Sequence, residues 1–250
     1  MLLSGCSNKK SSDIILATTT STYDTGLLDE LIPVFTKQYG YKVKPIAVGT
    51  GEALTMGESG EADILLVHAP AAEKAFMAAG YGLSRKKVMY NWFLLVGPEK
   101  DIAAAAETDN IAEAFQGISE NKAAFISRGD DSGTHKKELS LWKASKKTPD
   151  EPWYQEAGQG MGATLRIADE KQGYTLTDEG TFRAQQKSLS LRAFDFADQD
   201  LKNNYSVIVV TKTPGSEAFS RFLVSRRGQS LIRKFRSPEY KKPLFTPDAK

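Results

Sequence analysis

Ile14-Ile15-Leu16-Ala17-Thr18-Thr19-Thr20-Ser21-Thr22-Tyr23-Asp24-Thr25-Gly26 runs from an apolar tetrad straight into a hydroxyl-rich turn. The tetrad is short and apolar enough for a buried strand. Beyond the turn, Leu27, Leu28, Leu31, Ile32, Val34, Phe35 and Tyr39 recur at helical spacing. A strand that delivers hydroxyls to a helix start gathers free backbone N–H groups, O–H donors and the positive end of a helix dipole. Such a place suits a small anion. Simple capping would need only one of Ser21, Thr22 or Asp24. Five hydroxyls in a row, Thr18 to Thr22, exceed that need, so Thr19, Thr20 and Ser21 are candidate ligand donors.

The same strand–turn–helix order then repeats. Tyr41–Val48 is a second strand, and Gly49-Thr50-Gly51 opens a short helix through Met56. Thr50 is thus either a second hydroxyl at the same sheet edge or a plain N-cap. Asp63–Val67 is a third strand, Pro70 occupies the first helical position, and Gly80 stops that helix. Pro33 predicts a bend in the first helix. Three such units in series imply a parallel, right-handed α/β sheet, whose ligands bind at the carboxyl ends of the strands. His68 lies at that edge and reads as a structural hydrogen-bonder.

Val88–Val96 is a long strand, and Ala123–Ile126 a short one that leads into Ser127-Arg128-Gly129-Asp130-Asp131-Ser132-Gly133-Thr134-His135. A helix follows from Lys136 to Lys143, so the first site's design recurs on a second sheet. Here it gains Arg128, a fork-shaped cation suited to tetrahedral oxyanions. Asp130 is placed to orient that guanidinium, while Ser132, Gly133 and Thr134 donate from the helix start. Arg128 as a purely structural ion-pair residue is the alternative. Gly158–Thr164 begins another helix, where the N–H groups of Met161 and Gly162 are further donors unless the glycines serve only a flexible turn. Tyr174–Asp178 is a strand with a cap, Leu191–Phe194 a short strand, and Tyr205–Val210 a strong one that returns to the first sheet. Two helices close the chain, around Ser216–Val224 and Gln229–Phe235.

The 250 residues carry 33 basic and 31 acidic side chains, a net charge of +2 that gives no nucleic-acid signature. No apolar run is long enough to span a bilayer. One cysteine and two histidines exclude a disulfide framework and offer no metal-site spacing, and no cofactor is expected. The basic C-terminal end, including Arg233, Lys241 and Lys242, is a solvated face. Leu3-Ser4-Gly5-Cys6 resembles the lipobox of bacterial lipoproteins, with Ser7–Ser12 as a tether. Lipid attachment at Cys6 is therefore expected, although only Met1 and Leu2 precede the motif.

Two α/β lobes with a hydroxyl-rich helix start on each, and a chain that crosses between them twice, resemble a type II periplasmic binding protein. Thr18–Ser21, Ala62–His68, Val88–Asn91 and Tyr174–Asp178 narrow this to a resemblance to the tungstate-binding subunit of bacterial ABC transporters, from Asp13 to the C-terminus. It implies an α/β, two-lobed fold, each lobe a mostly parallel sheet flanked by helices. Residues 1–12 are the lipobox remnant and tether, 13–92 with 205–250 the first lobe, and 93–204 the second. It also implies an exported, monomeric receptor, lipid-anchored or periplasmic, that captures tungstate or molybdate for a membrane permease. The family's Thr-Thr-Thr-Ser motif and second-lobe arginine, held to contact the oxyanion, fall on Thr18–Ser21 and Arg128. Trp92 departs from the acidic residue the family more often has after Tyr-Asn.

The Arg128–Thr134 segment also resembles the turn of phosphate-binding proteins, so a phosphate or sulfate receptor of the same fold is the alternative. Tungstate and molybdate only accept hydrogen bonds, whereas hydrogen phosphate also calls for a carboxylate acceptor. Asp130 spent on Arg128, and Asp24 spent on a helix cap, favour the metal oxyanion. Asp131-Ser132-Gly133 has the look of the nucleophile turn of trypsin-like proteases, which makes a serine hydrolase the remote alternative. The α/β pattern and the lack of a G-x-S-x-G elbow argue against an enzyme.

Overall fold

The computed structural model describes residues 13–236 and 243–249. Cys6, the tether, Lys241 and Lys242 lie outside the described residues. The first lobe starts with β1 (Ile14–Thr19), α1 (Thr20–Asp24), α2 (Leu27–Tyr39), β2 (Val43–Val48), α3 (Thr50–Glu58), β3 (Ile64–Val67) and α4 (Pro70–Ala78). A 14-residue strand, β4 (Ser84–Gly97), leaves it. The second lobe holds α5 (Ile111–Glu120), β5 (Phe125–Ser127), α6 (Gly133–Ala144), β6 (Tyr154–Glu156), α7 (Met161–Lys171), β7 (Thr175–Asp178), α8 (Glu179–Gln185) and β8 (Arg192–Phe194). The chain returns on β9 (Lys202–Val209) and closes with α9 (Pro214–Val224), α10 (Arg226–Lys234) and β10 (Thr246–Pro247).

The first sheet has the order β2-β1-β3-β9-β4-β10, with β2, β1 and β3 parallel and the returning strands antiparallel. All three parallel strands therefore end on one edge, where Thr19, Thr50 and His68 follow them. In the second lobe β5 pairs parallel with β6, and a bridge between Phe125 and Tyr174 adds β7 in the same sense. Successive side chains point to opposite faces, which splits each lobe into two cores. Leu16 and Val207 join Leu31, Phe35, Phe219 and Phe222 on one face of the first sheet; Ala17 and Ile208 join Leu65, Val67 and Phe76 on the other. Phe125 and Ile126 divide the second lobe in the same way, into a Phe115–Trp142–Trp153 cluster and a Met161–Leu165–Phe182 cluster.

β4 changes sheets in one step. Its last pairs with β9 are Asn91↔Asn203 and Trp92↔Lys202, and its pairing with β7 starts at Phe93↔Asp178. A buried polar knot marks this pivot. Asn203 Nδ2 donates to Asn91 Oδ1 (2.9 Å) and to the Tyr205 hydroxyl (3.0 Å), while Asn203 Oδ1 lies 2.9 Å from His68 Nδ1.

One local expectation is corrected. None of Ser21, Thr22 or Asp24 caps the first long helix: Thr19 caps the short α1, Asp24 is the exposed last residue of α1, and Gly26 precedes α2 in the left-handed conformation. The hydroxyl run contains its own helix because Thr19, in extended backbone, satisfies an amide three residues on. α2 runs through Pro33, so the proline lies inside the helix and does not end it. β6 was not legible, because three residues between polar stretches carry too little periodicity to register.

Candidate functional site

On the first-lobe edge, Thr18 is already spent: its hydroxyl donates to Leu66 O (2.9 Å) and ties β1 to β3. Thr19 Oγ1 accepts from Thr22 N (3.4 Å) and sits 2.7 Å from Thr22 Oγ1 and 3.3 Å from Ser21 Oγ. The hydroxyls thus brace one another around the first turn of α1, with Ser21 buried and Thr20 half-buried. Gly49, not Thr50, is the N-cap of α3. Thr50 is fully buried, and its Oγ1 has no hydrogen-bond partner.

On the second-lobe edge, β5 delivers Arg128, which is 4% exposed. Its Nη2 forms an ion pair with Asp130 Oδ2, and Asp130 Oδ1 accepts from Ser132 N (3.2 Å). Ser132 caps α6 by accepting from His135 N (3.2 Å). Asp130 therefore locks the guanidinium to the helix start, as its spacing suggested. Gly129 takes a left-handed φ of +59°, and a Cβ there would lie 2.6 Å from Glu156 Cβ, so the turn requires glycine. Arg128 Nε and the buried Thr134 Oγ1 have no partner.

The two edges meet. A Cβ on Gly133 would stand 2.8 Å from His68 Cε1 and 3.2 Å from Thr50 Oγ1, and one on Gly51 would stand 2.5 Å from Asp131 Oδ2. A Cβ on Gly180 at the start of α8 would reach Thr25 Cγ2 at 3.1 Å. Burial is the larger influence on Asp24 on α1, His68 after β3 and Asp178 at the end of β7, and the Arg128 charge pulls the pKa of all three downward. Burial outweighs that pull on Asp24 and Asp178, whose pKa values are raised. Both oxygens of Asp178 serve Thr181, accepting from its N (2.9 Å) and its Oγ1 (2.7 Å). Asp131 is exposed and paired with Lys136.

Thr50 Oγ1, Arg128 Nε and Thr134 Oγ1 are thus three buried donors, from both lobes, without an acceptor. Buried polar groups are nearly always paired, and an unpaired one costs about 1–3 kcal/mol. Three together on one seam suit a ligand made only of acceptors. Met161 and Gly162 stand differently. The Met161 side chain belongs to the second-lobe core, so only backbone N–H groups remain there, and a Cβ on Gly162 would meet Gln185 Nε2. Their link to the seam runs through Gly158 N, which donates to Arg128 O (2.9 Å). Asn91, Asn203 and Tyr205 escaped sequence reasoning, because nothing in the chain pairs two strands 112 residues apart.

Desolvation, with a smaller push from Arg128, lowers the His68 pKa from 6.5 to about 4 against the opposing Asn203 bond. Its folded pKa lies below the unfolded one. Stability is therefore full above pH 6.5 and falls as the pH drops through 4, by about 3 kcal/mol. Urea unfolding of wild type and His68→Gln at pH 7 and pH 4 checks this: the variant is expected to lose less stability between the two.

Two α/β lobes, two crossover strands and facing helix starts define a type II periplasmic binding protein. The profile of the PBP superfamily domain matches residues 7–227. A tungstate-binding protein TupA of Peptoclostridium acidaminophilum is 49% identical, over 100% of this chain and 94% of the relative. Among solved structures, the tungstate-binding protein TupA of Desulfovibrio alaskensis G20 is 45% identical with a TM-score of 0.81, covering 95% of this chain and 99% of that one. The tungstate ABC transporter structure from Geobacter sulfurreducens is 42% identical with a TM-score of 0.80, covering 90% and 99%. The chain belongs to the PBP superfamily and, within it, to the family of the tungstate-binding proteins TupA.

Proposed function

We propose that this protein is the extracytoplasmic binding protein of an ABC importer, capturing tungstate in the interlobe seam and delivering it to the permease. The observation that carries this is the set of three buried donors without acceptors, Thr50 Oγ1, Arg128 Nε and Thr134 Oγ1. Thr19, Thr20 and Ser21 join them from α1, and Ser132, Gly133, Met161 and Gly162 add donors from the starts of α6 and α7. Asp130 touches Arg128 and holds its fork in place. Lobes made of residues 13–92 with 205–250 and of 93–204 follow the separate cores. They rotate about the Asn91–Asn203 pivot, so a ligand that bridges them shifts the population toward the closed form. The protein acts as a monomer, binds without changing its ligand chemically, and is tethered through a lipid on Cys6.

Phosphate is the second reading, favoured by the Arg128–Thr134 turn. Against it, Asp130 and Asp178 already use both carboxylate oxygens within the protein and Asp131 pairs with Lys136. These carboxylates of the second lobe are thus occupied, and the unpaired Arg128 Nε can only donate. Titration calorimetry with tungstate, molybdate, phosphate and sulfate tests this. Tight binding of tungstate, with molybdate alongside and phosphate far weaker, is expected. Tight phosphate binding with none for tungstate would move the assignment to phosphate.

A further inference from the structure

Glu138 is a buried carboxylate, 1% exposed, that no step of ligand capture has yet used. It lies on α6, one turn beyond Thr134. Three neutral donors hold it: Ser127 Oγ on β5 (2.8 Å), Tyr154 Oη on β6 (2.9 Å) and Trp142 Nε1 on its own helix (3.2 Å). Ser127 Oγ also accepts from Gly129 N (3.2 Å), and Ser127 O accepts from Ala157 N (2.8 Å). One carboxylate therefore joins the strand that ends at Arg128, the helix that starts at Gly133, and the strand that leads toward α7. A buried carboxylate held by neutral groups is costly to keep charged. A hydrophobic side chain would fill the same space without linking the three elements.

We propose that Glu138 is the positioning residue of the second lobe's anion-binding turn, fixing Arg128 through Ser127 and taking up a proton from solvent as the oxyanion docks. This rests on the function proposed above. Burial raises the Glu138 pKa to about 7, and Glu156 on β6 pushes the same way against the three hydrogen bonds. Tyr154, whose own pKa is raised, stays protonated. His135, on the preceding turn of α6, accepts from Asp131 N through its Nδ1 (3.0 Å) and is the imidazole the test has to separate from Glu138. A dianion arriving at the helix start disfavours the charged carboxylate further, so binding and proton uptake are linked. The proton goes to a Glu138 oxygen, and no bond to the ligand is made.

Two measurements test this. In the ligand-free protein, amide exchange at Gly129 is expected to quicken about tenfold in Ser127→Ala, which removes the hydroxyl that Gly129 N donates to, and also in Glu138→Leu, which leaves that hydroxyl without the carboxylate that holds it. Unchanged exchange in Glu138→Leu, with Ser127→Ala quickened, overturns the positioning role whatever the ligand. Calorimetry with tungstate near pH 7, in buffers of different ionisation enthalpy, is expected to show uptake of a fraction of a proton in wild type and His135→Gln, and none in Glu138→Gln. Uptake that survives Glu138→Gln but vanishes in His135→Gln overturns the proton link. If wild type fails to bind tungstate, the functional assignment falls and the exchange result still judges the turn.

Discussion

Arg128→Ala weakens tungstate binding by at least about 10- to 150-fold, the loss of a charge-assisted contact worth ~1.5–3 kcal/mol. The residue is 4% exposed, and its Nε has no acceptor inside the protein. Removing it takes away a guanidinium whose charge reaches Asp24, His68 and Asp178 together. It also leaves Asp130 with only the Ser132 amide on its carboxylate. Arg128→Lys is expected to fall between the two, since an ammonium keeps the charge but loses the planar fork. Calorimetry on variants shown to be folded by circular dichroism decides the matter. An unchanged dissociation constant for Arg128→Ala would put the site elsewhere.

Gly133→Val acts by another route. Gly133 begins α6 with no left-handed φ to protect, so a side chain is tolerated there by its own backbone, and leaving glycine suits a helix. The obstruction lies across the seam, where even a Cβ would press on the His68 ring at 2.8–2.9 Å. His68 cannot step aside easily, because Asn203 holds its Nδ1 and the Tyr205 ring packs against it at 4.8 Å. Each lobe should fold as before, while closure meets an overpacked contact costing about 1–3 kcal/mol. Tungstate affinity is expected to fall about 5- to 150-fold with ligand-free thermal stability unchanged or slightly raised. Small-angle scattering should show less compaction on adding ligand. Wild-type affinity together with wild-type compaction would mean that the lobes do not close on Gly133.

Much of this site was legible because it is built from local rules. Strand, hydroxyl turn and helix follow in unbroken order at Ile14–Tyr39 and again at Phe125–Ala144, and the proposed anion site is that order with Arg128 and Asp130 in the second turn. The cap was misplaced because five adjacent hydroxyls compete for the same amides, and only backbone geometry chose Thr19. Met161 offers its backbone N–H by position, while its side chain fills the core that Phe182 and Leu165 share. Glu138 looks like one more charge on an amphipathic helix until Ser127 and Tyr154, from strands on either side, close on it.

The chain alone determined the α/β class, the sheet edges at which the hydroxyl turns lie and the donor groups each turn carries, since apolar periodicity and turn chemistry act over a few residues. Tertiary structure decided which donors stay unpaired, which carboxylates are already taken, and how Thr50, His68 and Gly133 come into contact. Those outcomes depend on distances between segments far apart in sequence, set by how β4 and β9 pair at Asn91 and Asn203. No pattern along one strand can report what the other strand will bring to it.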